Sequence, residues 1–371
     1  MDARVVVAGG GPVGSALGLM LPGALVLEAG DFPRDKACGE GLMPSGARLL
    51  AEAGVELARE GFPPLAGVSY RVPGGPRSRA DFRQGPGYGV RRTRFDSLLA
   101  DRARVRCGVR VTGVVALPDR VLVETSAGSL SAQAAVIADG LHSSLARQLG
   151  CWRPPAGEPR FGLVGHLAWE RPGADVEVTL LGEVETYLAP VGPAEVLVAI
   201  LGSRGRLRLA GLSTEASYRA ILERAHPELA GSPLLGPLRG AGPFRQRPSW
   251  VGRGRVFLAG DAAGFFDPLT GDAISAGLAQ ASVLARLLGA DPGTAASRYQ
   301  GWWQAQWRRR RAVGILARRL SGSPGWASRA LRGTARRPQA LQTLIEVNQG
   351  SLGLAALGLR DWAALGGLSW G

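Results

Sequence analysis

The residues best placed to do chemistry stand near the start of the chain, where Gly9, Gly11 and Gly14 follow the apolar run Arg4-Val5-Val6-Val7-Ala8 in a G-x-G-x-x-G spacing. That order predicts a buried strand, a tight turn and the opening of a helix. Gly9 permits the turn, Gly11 lets the backbone approach a pyrophosphate, and Gly14 lets the helix lie close on the sheet. A helix starting at Pro12-Val13 offers phosphate its free N–H groups and the positive end of its dipole. A second apolar run, Ala24 to Leu27, ends in Glu28-Ala29. A carboxylate there accepts hydrogen bonds from an adenosine ribose. Strand, turn, helix, strand and terminal acid in that order predict a dinucleotide site, against the plainer alternative of a glycine-rich structural turn.

Two similar units lie downstream. The run Ala134 to Ala138 breaks into Asp139-Gly140, and Arg255 to Ala259 breaks into Gly260-Asp261-Ala262-Ala263-Gly264. The latter resembles the Gly-Asp motif of the geranylgeranyl reductase and aromatic-ring hydroxylase (group A flavin monooxygenase) superfamily, and the former resembles its second fingerprint. The resemblance implies FAD as cofactor, with Asp261 on the ribityl chain and Asp139-Gly140 near the pyrophosphate. The continuation through Pro268, Gly271, Asp272, Ala273 and Ile274 is similar to the reductase-type sequence. In the family it leads into a helix whose N-terminus faces the flavin ring, where it stabilises negative charge on the reduced pyrimidine.

Pro33-Arg34-Asp35-Lys36-Ala37-Cys38-Gly39 resembles a segment that passes close to FAD in the same superfamily. The resemblance implies Cys38 and Gly39 near the isoalloxazine, with Lys36 or Arg34 near cofactor phosphate or flavin oxygens. Among 44 Lys+Arg, Lys36 is the sole lysine. Cys38 is the one candidate catalytic side chain, the alternative being a small buried hydrophobe. Arg92, in Arg92-Thr93-Arg94-Phe95-Asp96, matches the family's arginine at a helix start that contacts FAD, while Asp96 there also suits the helix dipole. The family usually carries an arginine seven residues after the aspartate of the second fingerprint. Here that place is Ala146, with Arg147 beside it, which weighs against direct use of NADPH.

The elements that must hold these residues follow from composition and periodicity. With 371 residues, 46% hydrophobic and 20% charged, the chain is globular, as one large or two closely joined domains. The formal charge of +14 is scattered, and no nucleic-acid reader motif accompanies it, so nucleic acid is not an expected partner. Cys38, Cys107 and Cys151 have no metal or disulfide spacing, so no metal site is expected and a reducing, cytoplasmic compartment is. Residues 4 to 28 lack the basic leader and cleavage site of a signal peptide, and no run of 18 apolar residues is present. His142, His166 and His226 show no ligand pairing and are expected as surface or satisfied core residues.

The expected fold class is α/β, α+β overall. It comprises a glutathione-reductase-type Rossmann-like FAD domain, an inserted antiparallel-sheet substrate domain and a C-terminal helical region. The FAD domain is discontinuous over 1–65, 90–150 and 250–290, the substrate sheet covers 66–89 and 151–249, and the helical region covers 291–371. Within the sheet, Val176 to Leu180 and Glu195 to Ile200 alternate as antiparallel strands, and Pro190-Val191-Gly192 is expected as a hydroxylase-like turn. Trp302, Trp303 and Trp307 precede Arg308 to Arg311 in a basic helix. Residues 298–320 therefore suit either a peripheral membrane contact or packing over the substrate domain, with the arginines in water.

The resemblance implies an FAD-dependent oxidoreductase acting on a hydrophobic small molecule in biosynthesis. Monooxygenation of a hydrophobic or aromatic substrate is the leading expectation, with O2 as co-substrate and NAD(P)H as a transient electron donor or a separate reductase in its place. Reduction of isoprenoid double bonds is the competing reaction. A third alternative is a flavoprotein acting on or with a protein partner.

Overall fold

The computed structural model describes residues 3–154, 158–170 and 172–367, so the outermost ends of the expected spans, 1–2 and 368–371, lie outside the described residues. At the centre of the first sheet, four parallel strands lie in the order Ala24–Leu27, Ala3–Ala8, Gly128–Ile137 and Val256–Leu258. Val5, Val6 and Val7 are at most 1% exposed, as a β-branched run covered on both faces requires. The helices Pro12–Met20 and Ala273–Ala290 pack closely on one another, because Gly277 lets Val13 sit where a side chain would stand. Ala273–Ala290 is also the one helix among the described residues long and apolar enough to cross a membrane. Its Leu278, Ala281, Leu284 and Leu288 are buried in the core beside the sheet.

A second sheet runs Arg239–Ala241, Arg160–Ala168, Glu195–Ser203, Glu185–Gly192, Asp175–Leu180, Gly67–Arg71 and Arg77–Asp81. Its pairings are antiparallel except that Asp175–Leu180 runs parallel to Gly67–Arg71. Pro190-Val191-Gly192 is not a turn. It ends the strand Glu185–Gly192, with a register shift that accommodates the proline's missing N–H. Arg91 ties the two sheets together, pairing with Asp35 at 2.9 Å, Glu40 at 3.3 Å and Glu195 at 3.0 Å.

After residue 290 the chain is helical, with Ala295–Ser321, Pro324–Arg336, Pro338–Gln349 and Leu359–Leu365. In the first of these Trp303 and Trp307 are buried and stack with their ring centroids 5.2 Å apart, while half-buried Trp302 stacks on Tyr299. Arg308 and Arg311 face water. The tryptophans thus pack into the core of the first, parallel sheet and not over the substrate sheet.

His226 is wholly buried, with Arg71 donating to its Nδ1 at 2.8 Å and its Nε2 lying 3.0 Å from the Thr186 hydroxyl. Arginine cannot accept, so the ring is neutral with its proton on Nε2. Burial, reinforced by the Arg71 charge, pushes its pKa down to about 4. A depressed folded pKa contributes stability that is complete above the unfolded value near 6.5 and drains away as pH falls towards about 4. We expect the urea midpoint of the protein to fall across that window, and His226→Gln to remove that component of the fall. Parallel slopes for the two proteins would refute it.

Candidate active site

One continuous cavity of about 650 Å³ is lined on one side by the glycine loop and the ends of the parallel strands, and on the other by the second sheet and the C-terminal helices. Gly9, Gly11, Pro12, Val13, Glu28 and Ala29 face it together with Asp139, Gly140, Gly260 and Asp261, so the three fingerprints meet around a single space. The turn needs glycine at Gly9, which has φ +109° and whose Cβ would stand 2.5 Å from the Ala138 carbonyl oxygen. At Gly11 the nearest atom to an added Cβ is 3.8 Å away, so a side chain there would fill the cradle itself. No side chain caps the Pro12–Met20 helix, which leaves its first N–H groups for an anion.

Glu28 closes this end of the cavity. Its carboxylate accepts from Gly10 N at 2.8 Å and Gly30 N at 3.1 Å, and pairs with Arg34 at 2.7 Å. Burial alone would raise its pKa, but the Arg34 guanidinium and the two N–H groups outweigh burial and hold it below the usual carboxylate range. Asp139 shows the reverse. Burial raises its carboxyl, Ser143 opposing only in part, and its Oδ1 is buried without a hydrogen-bond partner. Asp261 lines the cavity with its carboxylate unengaged by any other described residue. Open cradle, ribose-facing acid, the unpartnered Asp139 Oδ1 and the unengaged Asp261 carboxylate all fit FAD.

Lys36, Cys38, Gly39 and Arg92 also line the cavity. The Lys36 ammonium lies 3.0 Å from the point where a Gly140 Cβ would stand, over the Asp139-Gly140 turn. Arg92 is buried and makes a two-pronged pair with Asp96 at 2.6 and 2.7 Å, so Asp96 neutralises the arginine and does more than complement a dipole. Burial pushes the Cys38 thiol up and Glu40 adds to it, outweighing the opposing Arg92 charge. Thiolate chemistry at neutral pH is therefore disfavoured. Cys38→Ala is expected to keep FAD and most of the turnover, and Cys38 in the holoprotein to resist alkylation at neutral pH. Rapid alkylation coupled to loss of turnover would contradict this.

Glu40 was not singled out by sequence reasoning, although it stands in Cys38-Gly39-Glu40-Gly41 between two glycines. It is 1% exposed, and its carboxylate accepts from Arg92 N at 2.9 Å and lies 3.0 Å from His166 Nε2. His166 is thereby satisfied within the core.

Pro268, Gly271, Ala273 and Ile274 bring the start of the Ala273–Ala290 helix to the cavity. Asp272 holds the N-cap position but does not cap. Its carboxylate is drawn aside by Thr270 at 2.7 Å and Arg310 at 3.0 Å, so the helix N–H groups stay free towards the cavity. Asp272 and Gly14, both expected to touch the cofactor, are not on the cavity wall. Gly14 instead packs its Cα on the Gly9 carbonyl, and Asp272 acts through the helix end it leaves open.

The family model described as FAD binding domain matches residues 2–300. The chain belongs to this family. Dialkyldecalin synthase of Streptomyces rugosporus is 31% identical over 332 residues, covering 81% of this chain and 67% of that protein. Menaquinone reductase of Mycolicibacterium smegmatis is 29% identical over 333 residues, covering 77% of this chain and 76% of that one. Among solved structures, a flavin-dependent brominase superposes with a TM-score of 0.82 at 17% identity, over 98% of this chain and 97% of that one. A flavoprotein/dehydrogenase from Cytophaga hutchinsonii gives 0.80 at 20% identity, over 94% and 93%. At these identities the structural likeness is one of fold. The FAD-binding family member described here is an FAD-dependent oxidoreductase, and the superfamily implied by its fingerprints is the one it belongs to.

Proposed function

We propose that this flavoprotein reduces a long apolar substrate of the isoprenoid or prenylated-quinone type. The carrying observation is the lining of the far side of the cavity. The second sheet contributes Val68, Val178 and Leu201, the segment after its edge strand contributes Phe244, and the C-terminal helices contribute Leu331 and Ile345 among others. Those two walls place no ionisable side chain on the cavity except Tyr70 and Tyr187. An acidic substrate would bring a charge there with no cation on these walls to pair it, at a cost of several kcal/mol, and the polar groups they do offer are few, Tyr70, Tyr187, Ser321, Thr334 and Asn348. An alkyl or alkenyl chain loses nothing by entering. The relatives that bear the name menaquinone reductase support the same substrate class.

Reduced FAD supplies two electrons as hydride, and a proton completes the saturated bond. The protein's part is to orient the chain, exclude water and hold that proton. Burial pushes the Tyr70 hydroxyl up to about 12, so it keeps its proton at physiological pH, whereas the Tyr187 hydroxyl already donates to the Leu269 carbonyl at 3.1 Å. Tyr70, the phenol of the two whose hydroxyl is not committed to another described residue, is the candidate to hold that proton.

Oxygen-dependent oxidation is the second reading, supported by the fingerprints shared with the aromatic-ring hydroxylases. Photoreduced holoprotein mixed under argon with menaquinone separates the two. Flavin reoxidation with two hydrogens gained in the prenyl chain, read by mass spectrometry after the ring has been reoxidised to the quinone, supports reduction. Substrate that stays unchanged without O2, and gains one oxygen atom once O2 is admitted, overturns it in favour of monooxygenation.

A further inference from the structure

The helices Pro324–Arg336 and Leu359–Leu365 roof the cavity with their inner faces, through Ala327, Ala330, Leu331, Thr334 and Leu365. They run antiparallel in close contact. Arg337 pairs with Asp361 at 2.6 Å, a Cβ on Gly333 would fall 2.1 Å from the Ala364 carbonyl oxygen, and Gly367 abuts Arg329. Their outer faces expose large apolar side chains, with Trp326 51%, Leu359 89% and Trp362 42% accessible. Tryptophans this open on packed helices are costly to leave in water unless something covers them.

Charge identifies what covers them. Arg329, Arg332, Arg336 and Arg360 are exposed on the same two helices, and Arg329 lies over the Trp326 ring with 5.9 Å to its centroid. The acids that face this region are neutralised. Asp361 is buried against Arg337, Asp81 on the adjoining strand pairs with Arg79, and Glu183, next to the Gly182 that abuts Pro324, pairs with Arg206. Exposed tryptophans ringed by unopposed arginines match the interface of an anionic bilayer, where the indoles sit at headgroup depth and the guanidiniums meet lipid phosphates.

We propose that the outer face of these two helices docks on an anionic lipid surface, so that the roof of the cavity is also the membrane-facing side of the protein. The proposal stands apart from the reaction assigned above, because a lipid surface would present an apolar substrate to a reductase and a monooxygenase alike.

The test is co-sedimentation of the FAD-loaded protein with phosphatidylcholine vesicles made with and without phosphatidylglycerol. Binding is expected only with phosphatidylglycerol and should weaken as salt is raised. Arg329→Gln/Arg332→Gln/Arg336→Gln should lower it by on the order of 100-fold. Trp326→Ser/Trp362→Ser should remove the part that survives salt. FAD absorbance confirms that each variant is folded, and the salt dependence of the unmodified protein decides the charge component if the triple variant loses FAD. Equal affinity for both vesicles, or for neither, overturns the proposal. So does a loss on Arg298→Gln/Arg308→Gln/Arg311→Gln that matches the roof variant, which would move the contact to the Ala295–Ser321 helix.

Discussion

Gly14→Ala is expected to purify without FAD. The added Cβ would stand 1.9 Å from the Gly9 carbonyl oxygen and 3.3 Å from Val7 Cγ1. Gly9 cannot retreat, because it already holds a left-handed φ of +109° with the Ala138 carbonyl behind it. The helix Pro12–Met20 must lift from the sheet, taking with it the N–H groups that face the cradle and breaking the contact of Val13 with Gly277. Overpacking of this severity costs about 3 kcal/mol or more, enough to weaken FAD by on the order of 100-fold even if the fold survives. Gly11→Ala is the contrasting control. With 3.8 Å to the nearest atom it should fold normally and lose FAD only by crowding the pyrophosphate. The checks are the flavin-to-protein absorbance ratio and far-ultraviolet circular dichroism. A stoichiometric yellow Gly14→Ala protein would refute the packing argument.

Arg160→Met is expected to be the most destabilising single change outside the cradle. Arg160 donates to both oxygens of Asp267 at 2.9 and 3.0 Å and also pairs with Glu185, and all three residues are buried. Without it two buried carboxylates face one another, with Arg318 at 3.8 Å from Asp267 and Arg245 acting on Asp267 through its charge. Breaking a buried pair by removing one partner costs about 3–5 kcal/mol. The sign with pH is distinctive. Burial already raises Glu185, with Arg160 the largest opposing influence, so removing Arg160 drives its folded pKa further above the unfolded value. Such a group favours the fold while protonated and opposes it as pH rises. The variant should therefore recover stability as pH is lowered through the carboxylate range, opposite to the His226 trend of the unmodified protein. Glu185→Gln added to Arg160→Met should restore part of the loss. Denaturant titrations at two pH values measure both, and an Arg160→Met protein whose deficit grows on acidification would contradict the assignment. Because Asp267 also caps the Pro268–Thr270 turn through Leu269 N at 3.1 Å, the damage should reach FAD affinity.

What the sequence made legible here is what the backbone dictates locally. A G-x-G-x-x-G turn needs φ values and close approaches that only glycine allows, so Gly9, Gly11 and Gly14 announce their geometry whatever surrounds them. The buried valine run of Ala3–Ala8 and the Gly-Asp turn after Val256–Leu258 are legible for the same reason. Glu40, Arg160 and Asp267 were not, because their roles depend on partners from distant segments. Asp267 meets an arginine 107 residues away, and Glu40 meets a histidine 126 residues away. Nothing periodic marks such meetings. Asp272 illustrates the opposite error, in which a motif placed a residue correctly in the chain while its side chain was drawn aside by Arg310. Resemblance to a hydroxylase makes Pro190-Val191-Gly192 a turn, and pairing with Glu195–Ser203 overrides it.

The roof has a temporal consequence. The cradle needs Val256–Leu258 beside Gly128–Ile137, and Ser275 must reach back 232 residues to receive Met43 N. Contacts so far apart form slowly, and in a chain made from its N-terminus they must wait until most of it has been synthesised. The helices that seal the cavity, Pro324–Arg336 onward, emerge later still. In order of synthesis the roof is thus the last of the elements that line the cavity, added to a cradle whose strands and glycine loop are already made.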